Sequence, residues 1–227
     1  MTDAALPPPP PPPGPARMDR DTEEAIFYHE SAVNAAWTGS RLAIGGLTFL
    51  FGSFAFAYFY LRALNSSGRW EGSGFQAPPL LTGTIIAFLI LVSAGIHYAA
   101  LQQIKVGRKR AWQIGGLVAL VLGLVAVGLQ IAELLTLPFW PGSSGFSSVF
   151  TGFYPVFLVI VLCAMVWLEI LLASSRFIPA MSFVEQPPTY AEAFRVQRFK
   201  ARLSSFSTVW NYLAVMAIVF WLLFYVI

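Results

Sequence analysis

Charged residues are scarce in this chain of 227 residues, where they make up 11% of the sequence. Soluble domains carry about 25%, and so few charges cannot cover a surface that faces water. Hydrophobic residues reach 57%, which predicts a membrane protein. The single cysteine, Cys163, lies inside an apolar run, so the sequence excludes a disulfide framework and a thiolate metal cluster.

Histidine is as scarce as cysteine, with two residues, His29 and His97. Haem takes His, Met, Cys or Tyr as protein ligands, and copper and zinc take mostly His and Cys. Neither histidine belongs to a ligand pattern, so a haem held by both is disfavoured. Nucleophile elbows, phosphate-binding glycine loops and HExxH are also missing. We therefore expect no cofactor, no metal and no catalytic residue in this chain.

Long apolar runs, by contrast, are abundant. A helix that crosses a bilayer needs about 20 apolar residues, and five segments qualify: Leu42–Leu61, Leu80–Leu101, Ala111–Leu137, Phe146–Leu172 and Leu203–Ile227. The alternation typical of a transmembrane barrel is absent, so the predicted fold is all-α, an integral membrane bundle of five transmembrane helices. The glycine pairs Gly45–Gly46 and Gly115–Gly116 are predicted to allow close contact between helices.

The segments outside the spans predict two regions and an orientation. Residues 1–36 combine a tail of seven consecutive prolines with a short surface helix, and residues 37–227 form the membrane domain. A further surface helix is predicted from about Tyr190. Twelve basic residues fall on the side of the N-terminus, and two, Arg62 and Arg69, on the other. The positive-inside rule then places the N-terminus in the cytoplasm and the C-terminus outside.

Two carboxylates lie within the predicted spans, and buried charge in lipid is costly and usually functional. Glu133, in the sequence LQIAELL, is interpreted as a buried group that binds a lipid headgroup or a partner subunit. The alternative is an interfacial carboxylate that reaches water. Gln130 lies three residues earlier and so shares its helix face. Glu169 lies near a span end within reach of Arg176, and we interpret it as an interfacial carboxylate.

Several stretches, in chain order, resemble subunit III of the haem–copper oxidases. RLAIGGLTFLFGSFAFAYFYLRALNSSGRW resembles an aromatic helix and its polar external loop, and LLTGTIIAFLILVSAGIHYAALQQIKVGRKRAWQIGG the next hairpin. The most specific match is LQIAELLTLPFWPGSSGFSSVFTGFYPVFLVIVL, where the family writes L-Q-x-x-E, a short loop and then T-G-F-H-G-L-H-V. VWNYLAVMAIVFWLLFYVI resembles the closing helix. The resemblance covers Trp37–Ile227 and fits the five-span bacterial form.

The chain departs from the family at several polar positions. Tyr154, Phe157 and Asn211 stand where the family has histidines, and Pro155 stands for a glycine. Ala214 stands for an aspartate, and Leu47 for a glutamate found in many relatives. Tyr154 and Pro155 are therefore interpreted as packing residues and not as a reaction centre. The residues expected to contact lipid or a partner subunit are His97, Gln130, Glu133, Tyr154, Trp210 and Asn211.

The resemblance implies a non-catalytic subunit III of a respiratory oxidase, multi-pass in the bacterial inner membrane, in a complex that reduces oxygen and translocates protons. Its implied partners are subunit I, subunit II, further respiratory-complex subunits and phospholipids, with no nucleic acid. Haem and copper are expected on the partner subunits, and cytochrome c as the electron donor. Two alternatives stay open. One is an accessory protein of a related reductase, such as nitric oxide reductase. The other is a small transporter, disfavoured by the lack of a central charge.

Overall fold

A computed structural model describes residues 20–65, 68, 70–72, 76–178 and 190–227. These residues form five α-helices and a final π-helical turn, with no strand among them. The elements are α1 (Arg20–Ala63), α2 (Leu80–Lys105), α3 (Lys109–Leu135), α4 (Gly145–Ser175), α5 (Tyr190–Trp221) and the π-turn (Leu222–Val226). The proline tail, Met1–Asp19, and parts of the first and fourth loops lie outside the described residues.

The predicted all-α class and number of spans are confirmed for this part of the chain. Each of the five α-helices is long and apolar enough to cross a membrane. The third span ends two residues earlier than expected, because α3 stops at Leu135 and the Thr136 N–H bonds back to the carbonyl of Glu133 (3.1 Å). The last span ends in the π-turn, where the Ile227 N–H bonds to the Leu222 carbonyl (2.9 Å).

The two predicted surface helices are not separate elements. α1 is one helix of 44 residues, and at 1.5 Å per residue it is about 66 Å long, roughly twice the thickness of a bilayer core. It runs through the expected boundary between residues 36 and 37. α5 likewise begins at Tyr190 and continues as the last span. Neither helix contains a proline, so nothing in the sequence breaks the hydrogen-bond ladder.

α1 and α5 are both longer than the apolar spans predicted within them, and we call the parts outside those spans their projecting parts. The two helices pack against each other along both the projecting parts and the apolar spans. The Ser205 hydroxyl donates to the Ala36 carbonyl (2.8 Å), and further along the pair the Thr48 and Tyr212 hydroxyls are hydrogen-bonded (2.9 Å). Phe51 of α1 is fully buried and meets Phe220 of α5 edge to face. The projecting parts of the two helices are therefore held as a pair.

Of the two glycine pairs predicted to allow close contact between helices, one does so and the other does not. A Cβ atom at Gly115 would lie 2.7 Å from the Ala100 Cβ, and one at Gly116 would lie 2.8 Å from Leu172 Cδ2. α3 therefore approaches both α2 and α4 closely through this pair, as predicted. Gly45 and Gly46 have nothing within 4 Å in the described part of the chain, so that prediction is wrong within the bundle. These glycines lie on the exposed side of α1.

The two ends of the bundle differ in charge. At one end the Lys109 Nζ donates to the Ile178 carbonyl (2.5 Å), and Trp112 packs edge-on against Phe199. This end, which we call the basic end, carries the described cations Arg41, Lys105, Arg108, Lys109, Arg110, Arg176, Arg195, Arg198, Lys200 and Arg202. At the opposite end, the Phe146 N–H bonds to the Trp70 carbonyl (3.0 Å), and Arg62 is the described cation.

Candidate functional site: a buried carboxylate between two tyrosines

The most polar group in the interior is the side chain of Glu133. It lies on α3, two residues before the end of that helix, and only 2% of its surface is exposed. The helices around it cover this carboxylate almost completely. Because buried charge is costly unless it is paired or hydrogen-bonded, the neighbours of Glu133 decide what it can do.

Two tyrosine hydroxyls donate to the two carboxylate oxygens. The Tyr154 hydroxyl on α4 donates to Oε2, and the Tyr225 hydroxyl in the π-turn donates to Oε1 (2.8 Å). Hydrogen bonds to a charged acceptor are about twice as strong as neutral ones. Glu133 is thus bonded to two other elements, so one side chain connects the ends of α3, α4 and α5. We call these three residues the Glu133 cluster.

Tyr154 is positioned by the first turns of α4. The helix begins with a capping box, in which Ser144 accepts from the Ser147 N–H (3.0 Å) and the Ser147 hydroxyl accepts from the Ser144 N–H (2.8 Å). The helix continues through Pro155, although the proline cannot donate to the carbonyl one turn earlier. The Tyr154 ring stacks on Phe150, with ring centroids 4.8 Å apart. Stacking fixes the ring, so the hydroxyl is aimed at α3.

Tyr225 reaches Glu133 because α2 has a glycine opposite it. A Cβ atom at Gly83 would lie 2.4 Å from both Cε1 and Cζ of the Tyr225 ring, so a side chain there would occupy the place of the ring. Tyr225 also lies in the π-turn, and π-helical turns occur frequently at functional sites. Nearby, Trp221 Nε1 donates to the Thr84 hydroxyl (3.0 Å), which ties α5 to α2.

A small cavity adjoins the Glu133 cluster. Its volume is about 30 Å³, and its walls include Gly83, Gln130, Tyr154, Trp221 and Tyr225 together with apolar residues of α2, α4 and α5. Gln130 is 1% exposed, and its Oε1 has no hydrogen-bond partner among the described residues. The cavity has the volume of about one water molecule. The buried carboxylate therefore has a polar neighbour with unused hydrogen-bonding capacity.

His97 and Trp210 belong to a different region. Both are fully buried, and both flank Phe206, which His97 meets edge-on at 4.8 Å and on which Trp210 stacks at 6.3 Å. The two ring nitrogens of His97 and Nε1 of Trp210 have no hydrogen-bond partner in the described structure. His97 lies fourteen residues beyond Gly83 on α2, or about 21 Å along the helix. It is therefore far from Glu133.

The structure thus brings three of the six predicted residues together. Gln130, Glu133 and Tyr154 share one site, His97 and Trp210 share an aromatic one, and Asn211 is half-buried on α5. The polar neighbours of Glu133 from other elements are Tyr154 and Tyr225. Tyr154 is more than the packing residue we expected, since it donates to the carboxylate. Contact of these residues with lipid or a partner subunit stays a prediction.

Sequence reasoning missed Tyr225 and Gly83. The only signal for Tyr225 was a tyrosine in the apolar closing run FWLLFYVI, which is also typical of aromatic residues at membrane interfaces. Among the described residues, no group of three His, Cys, Asp or Glu side chains is arranged to hold a metal ion. What the site offers chemically is a carboxylate that two hydroxyls stabilise, beside an amide oxygen and a small cavity.

No protein-family model and no curated protein matches the sequence of this chain at a significant level. The features that point to a function are therefore the Glu133 cluster, the distribution of charge and the motifs quoted above.

Proposed function

We propose that this chain is a non-catalytic subunit III of a bacterial haem–copper oxidase. In this role it packs against the catalytic subunit in the cell membrane, binds phospholipids and helps to sustain proton uptake during oxygen reduction. Haem and copper belong to its partner subunits. The expected electron donor of the complex is cytochrome c.

The observation that carries this proposal is the hydrogen bond between Glu133 and Tyr154. The two residues are 21 positions apart, and they come from the two halves of the most specific resemblance. Glu133 ends the L-Q-x-x-E unit, and Tyr154 stands where the family writes the first histidine of T-G-F-H-G-L-H-V. Contact between these motifs supports the proposal because a chance likeness in two apolar helices gives no reason for their polar residues to pair.

The form of the site supports a role in assembly. Both oxygens of the Glu133 carboxylate are already bonded within the chain, and the cavity beside them holds about 30 Å³. Small-molecule sites usually have volumes of 300–1,000 Å³, roughly ten times larger or more. The Glu133 cluster is better suited to fixing three helices against each other, which sets the shape of the surface offered to a partner subunit.

The charge asymmetry supports an orientation. The basic end carries ten described cations, from Arg41 to Arg202, against Arg62 at the opposite end. Excess Lys and Arg mark the cytoplasmic side of short loops. We therefore assign the basic end, with the projecting parts of α1 and α5, to the cytoplasm and the π-turn to the periplasm.

Purification of the tagged full-length chain from its native membrane in a mild detergent tests the proposal. We expect a larger polypeptide with haem absorption and bound copper to co-purify in stoichiometric amounts. The complex should oxidise reduced cytochrome c with consumption of oxygen. Recovery of the chain alone, or with a haem subunit that lacks copper and reduces nitric oxide, would refute it. Transport of a solute by the isolated chain in vesicles would favour the transporter instead.

A further inference from the structure

The exposed face of α1 has a regular repeat of seven residues. Steps of four and three residues alternate along it without a break, and this spacing keeps all the members on one side of a helix. α1 packs on the bundle through its opposite side, where Phe51 and Tyr58 are buried. We call the exposed set the outer seam: Ser31, Ala35, Thr38, Leu42, Gly45, Phe49, Gly52, Phe56 and Phe59.

α1 is also the span that its own bundle covers least. In its most apolar part 11% of the residues are buried, whereas the other four spans reach between 33% and 44%. Leu42, Phe49, Phe56 and Phe59 are 72%, 81%, 69% and 54% exposed. A large side chain can bury about 150–250 Å², so these four offer roughly 500 Å² in one copy and about 1,000 Å² in two. This is the size from which interfaces become specific.

Lipid does not account for the whole length of the outer seam. Ser31 and Phe59 are 28 positions apart, or about 42 Å along the helix, and a bilayer core is about 30 Å thick. The seam therefore continues into the projecting part of α1, and it stays free of charged residues there. The nearest cation, Arg41, lies over the ring of Trp37 (3.2 Å to the centroid). An uncharged strip beyond the lipid favours contact with another protein surface.

The outer seam is complementary to itself in shape. Where two parallel helices pack with a seven-residue repeat, each side chain of one enters a gap between four residues of the other. For Phe49 that gap lies between Gly45 and Gly52 of a second copy. A Cβ atom at either glycine would have no atom of the described chain within 4 Å, so the gap is open. In lipid, glycines allow close approach, and close packing drives association.

We propose that two copies of this chain form a parallel dimer through their outer seams. Copies in one membrane have the same orientation, so a two-fold axis normal to the membrane brings the two α1 helices side by side. A seven-residue repeat gives a left-handed crossing of about 20°. The contact does not involve the Glu133 cluster or a haem subunit. Loss of the dimer would therefore leave the proposed oxidase role standing, and loss of that role would leave the dimer.

Oxidative cross-linking of the full-length chain in its native membrane tests the arrangement. With the exposed Cys163 changed to serine, Thr38→Cys places a thiol on the seam outside the apolar span. Facing seam positions of two parallel helices come within the range of a disulfide. We therefore expect an added oxidant to give a species of twice the mass of the chain.

Ala43→Cys is the matched control for the cross-link. Position 43 is exposed on the same helix but lies about 100° around it from Leu42, so this variant should stay monomeric. Equal cross-linking of both variants would show random collision and overturn the proposal. A Thr38→Cys adduct with a polypeptide of another mass would overturn it in favour of a different partner, and a Thr38→Cys thiol that stays free would leave lipid as the cover.

Single-molecule photobleaching of the labelled full-length chain in a lipid bilayer tests the glycines. Gly45→Leu and Gly52→Leu fill the gaps, and each should lower the association constant of the dimer at least about tenfold. Neither position has a neighbour within 4 Å in the described chain, so the fold of the single copy should be retained. Circular dichroism checks this. Unchanged association of Gly52→Leu would contradict the proposed packing.

Gly95→Leu is the matched control for the glycine variants. Gly95 lies exposed on α2 and likewise has nothing within 4 Å among the described residues. Because it is outside the outer seam, its replacement should change the association constant by less than about twofold. A loss equal to that of Gly52→Leu would show a general effect of added bulk on the lipid-facing surface, and the proposal would fail.

Discussion

Removal of the Tyr154 hydroxyl is the most direct test of the Glu133 cluster. Tyr154→Phe keeps the ring stacked on Phe150 but leaves Oε2 of Glu133 without a donor. A hydrogen bond to a charged group contributes about 1.5–3 kcal/mol, and leaving the acceptor buried and unpaired has a cost of the same size. We therefore expect Tyr154→Phe to lower the free energy of unfolding by about 2–3 kcal/mol.

Two tyrosines provide controls in the same chain. Tyr212 is bonded to a neutral hydroxyl, that of Thr48 (2.9 Å), so Tyr212→Phe should cost about 0.5–1.5 kcal/mol. Tyr98 is more than half exposed on α2, and Tyr98→Phe should have an effect within about 0.5 kcal/mol. The loss of stability should therefore be largest for Tyr154→Phe, whose acceptor is a buried carboxylate, and smaller for Tyr212→Phe, whose partner is a neutral hydroxyl. It should be smallest for Tyr98→Phe, because that side chain is exposed.

A variant that replaces the whole cluster by apolar side chains sharpens the test. In the triple variant Glu133→Met, Tyr154→Phe and Tyr225→Phe, no polar atom of the cluster is left unpaired. Replacement of both partners by apolar groups of similar shape is close to neutral. The triple variant should therefore be more stable than Tyr154→Phe alone, and the coupling between positions 133 and 154 should be at least about 1 kcal/mol.

Equilibrium unfolding in mixed micelles, followed by the helical circular dichroism signal, measures these differences. If Tyr154→Phe costs no more than Tyr98→Phe, the bond from Tyr154 to Glu133 does not stabilise the fold. If the triple variant is less stable than each single variant, the unpaired carboxylate is not the source of the cost.

Three further predictions concern the same helices. Gly83→Ala should displace the ring of Tyr225 and destabilise the chain about as much as Tyr225→Phe, because a Cβ there would lie 2.4 Å from that ring; equal unfolding midpoints for Gly83→Ala and wild type would contradict this. In a cysteine-free background, Val106→Cys should react with an impermeant thiol reagent from the cytoplasm and Trp140→Cys from the periplasm, since both positions are exposed at opposite ends; labelling of both from one side would overturn the orientation. In the purified complex, Glu133→Gln should weaken subunit association or lipid retention and leave the haem spectrum unchanged, and immediate loss of oxygen reduction with all subunits present would end the proposed role.

The number of helices was predictable because hydropathy reports what a bilayer requires, about 20 apolar residues in a row. The same criterion explains the error at α1 and α5. Hydropathy detects only the part of a helix that lipid covers, whereas α1 and α5 extend into polar sequence that contains no proline to interrupt the hydrogen-bond ladder. The absence of proline from Arg20 to Ala63 was visible in the sequence, and it gave a better guide to the length of α1 than its apolar span did.

Sequence reasoning could relate only those residues of the site that lie on the same helix, α3. Glu133 stood out as a carboxylate in an apolar run, and Gln130 followed from its spacing of three residues. Tyr225 is 92 positions from Glu133, and Gly83 is 142 positions from Tyr225. Which helices become neighbours depends on packing between them, and periodicity within one helix carries no information on it. A tyrosine and a glycine that fit each other across the bundle are therefore invisible until both helices are placed.

Three local departures from regular helix structure meet at Glu133. Pro155 follows Tyr154 and removes one hydrogen bond from α4, the π-turn carries Tyr225, and Gly83 leaves room for the Tyr225 ring in the first turn of α2. Each of the three makes its helix less regular. The π-turn and Gly83 allow the Tyr225 hydroxyl to reach the carboxylate, and Pro155 is adjacent to Tyr154, which supplies the other hydroxyl. Apolar side chains alone would let these helices slide or rotate against each other in lipid with little change in energy, because lipid tails solvate them equally well. A buried acceptor with two oxygens and two donors on different elements permits one arrangement, so the Glu133 cluster specifies how α3, α4 and α5 meet.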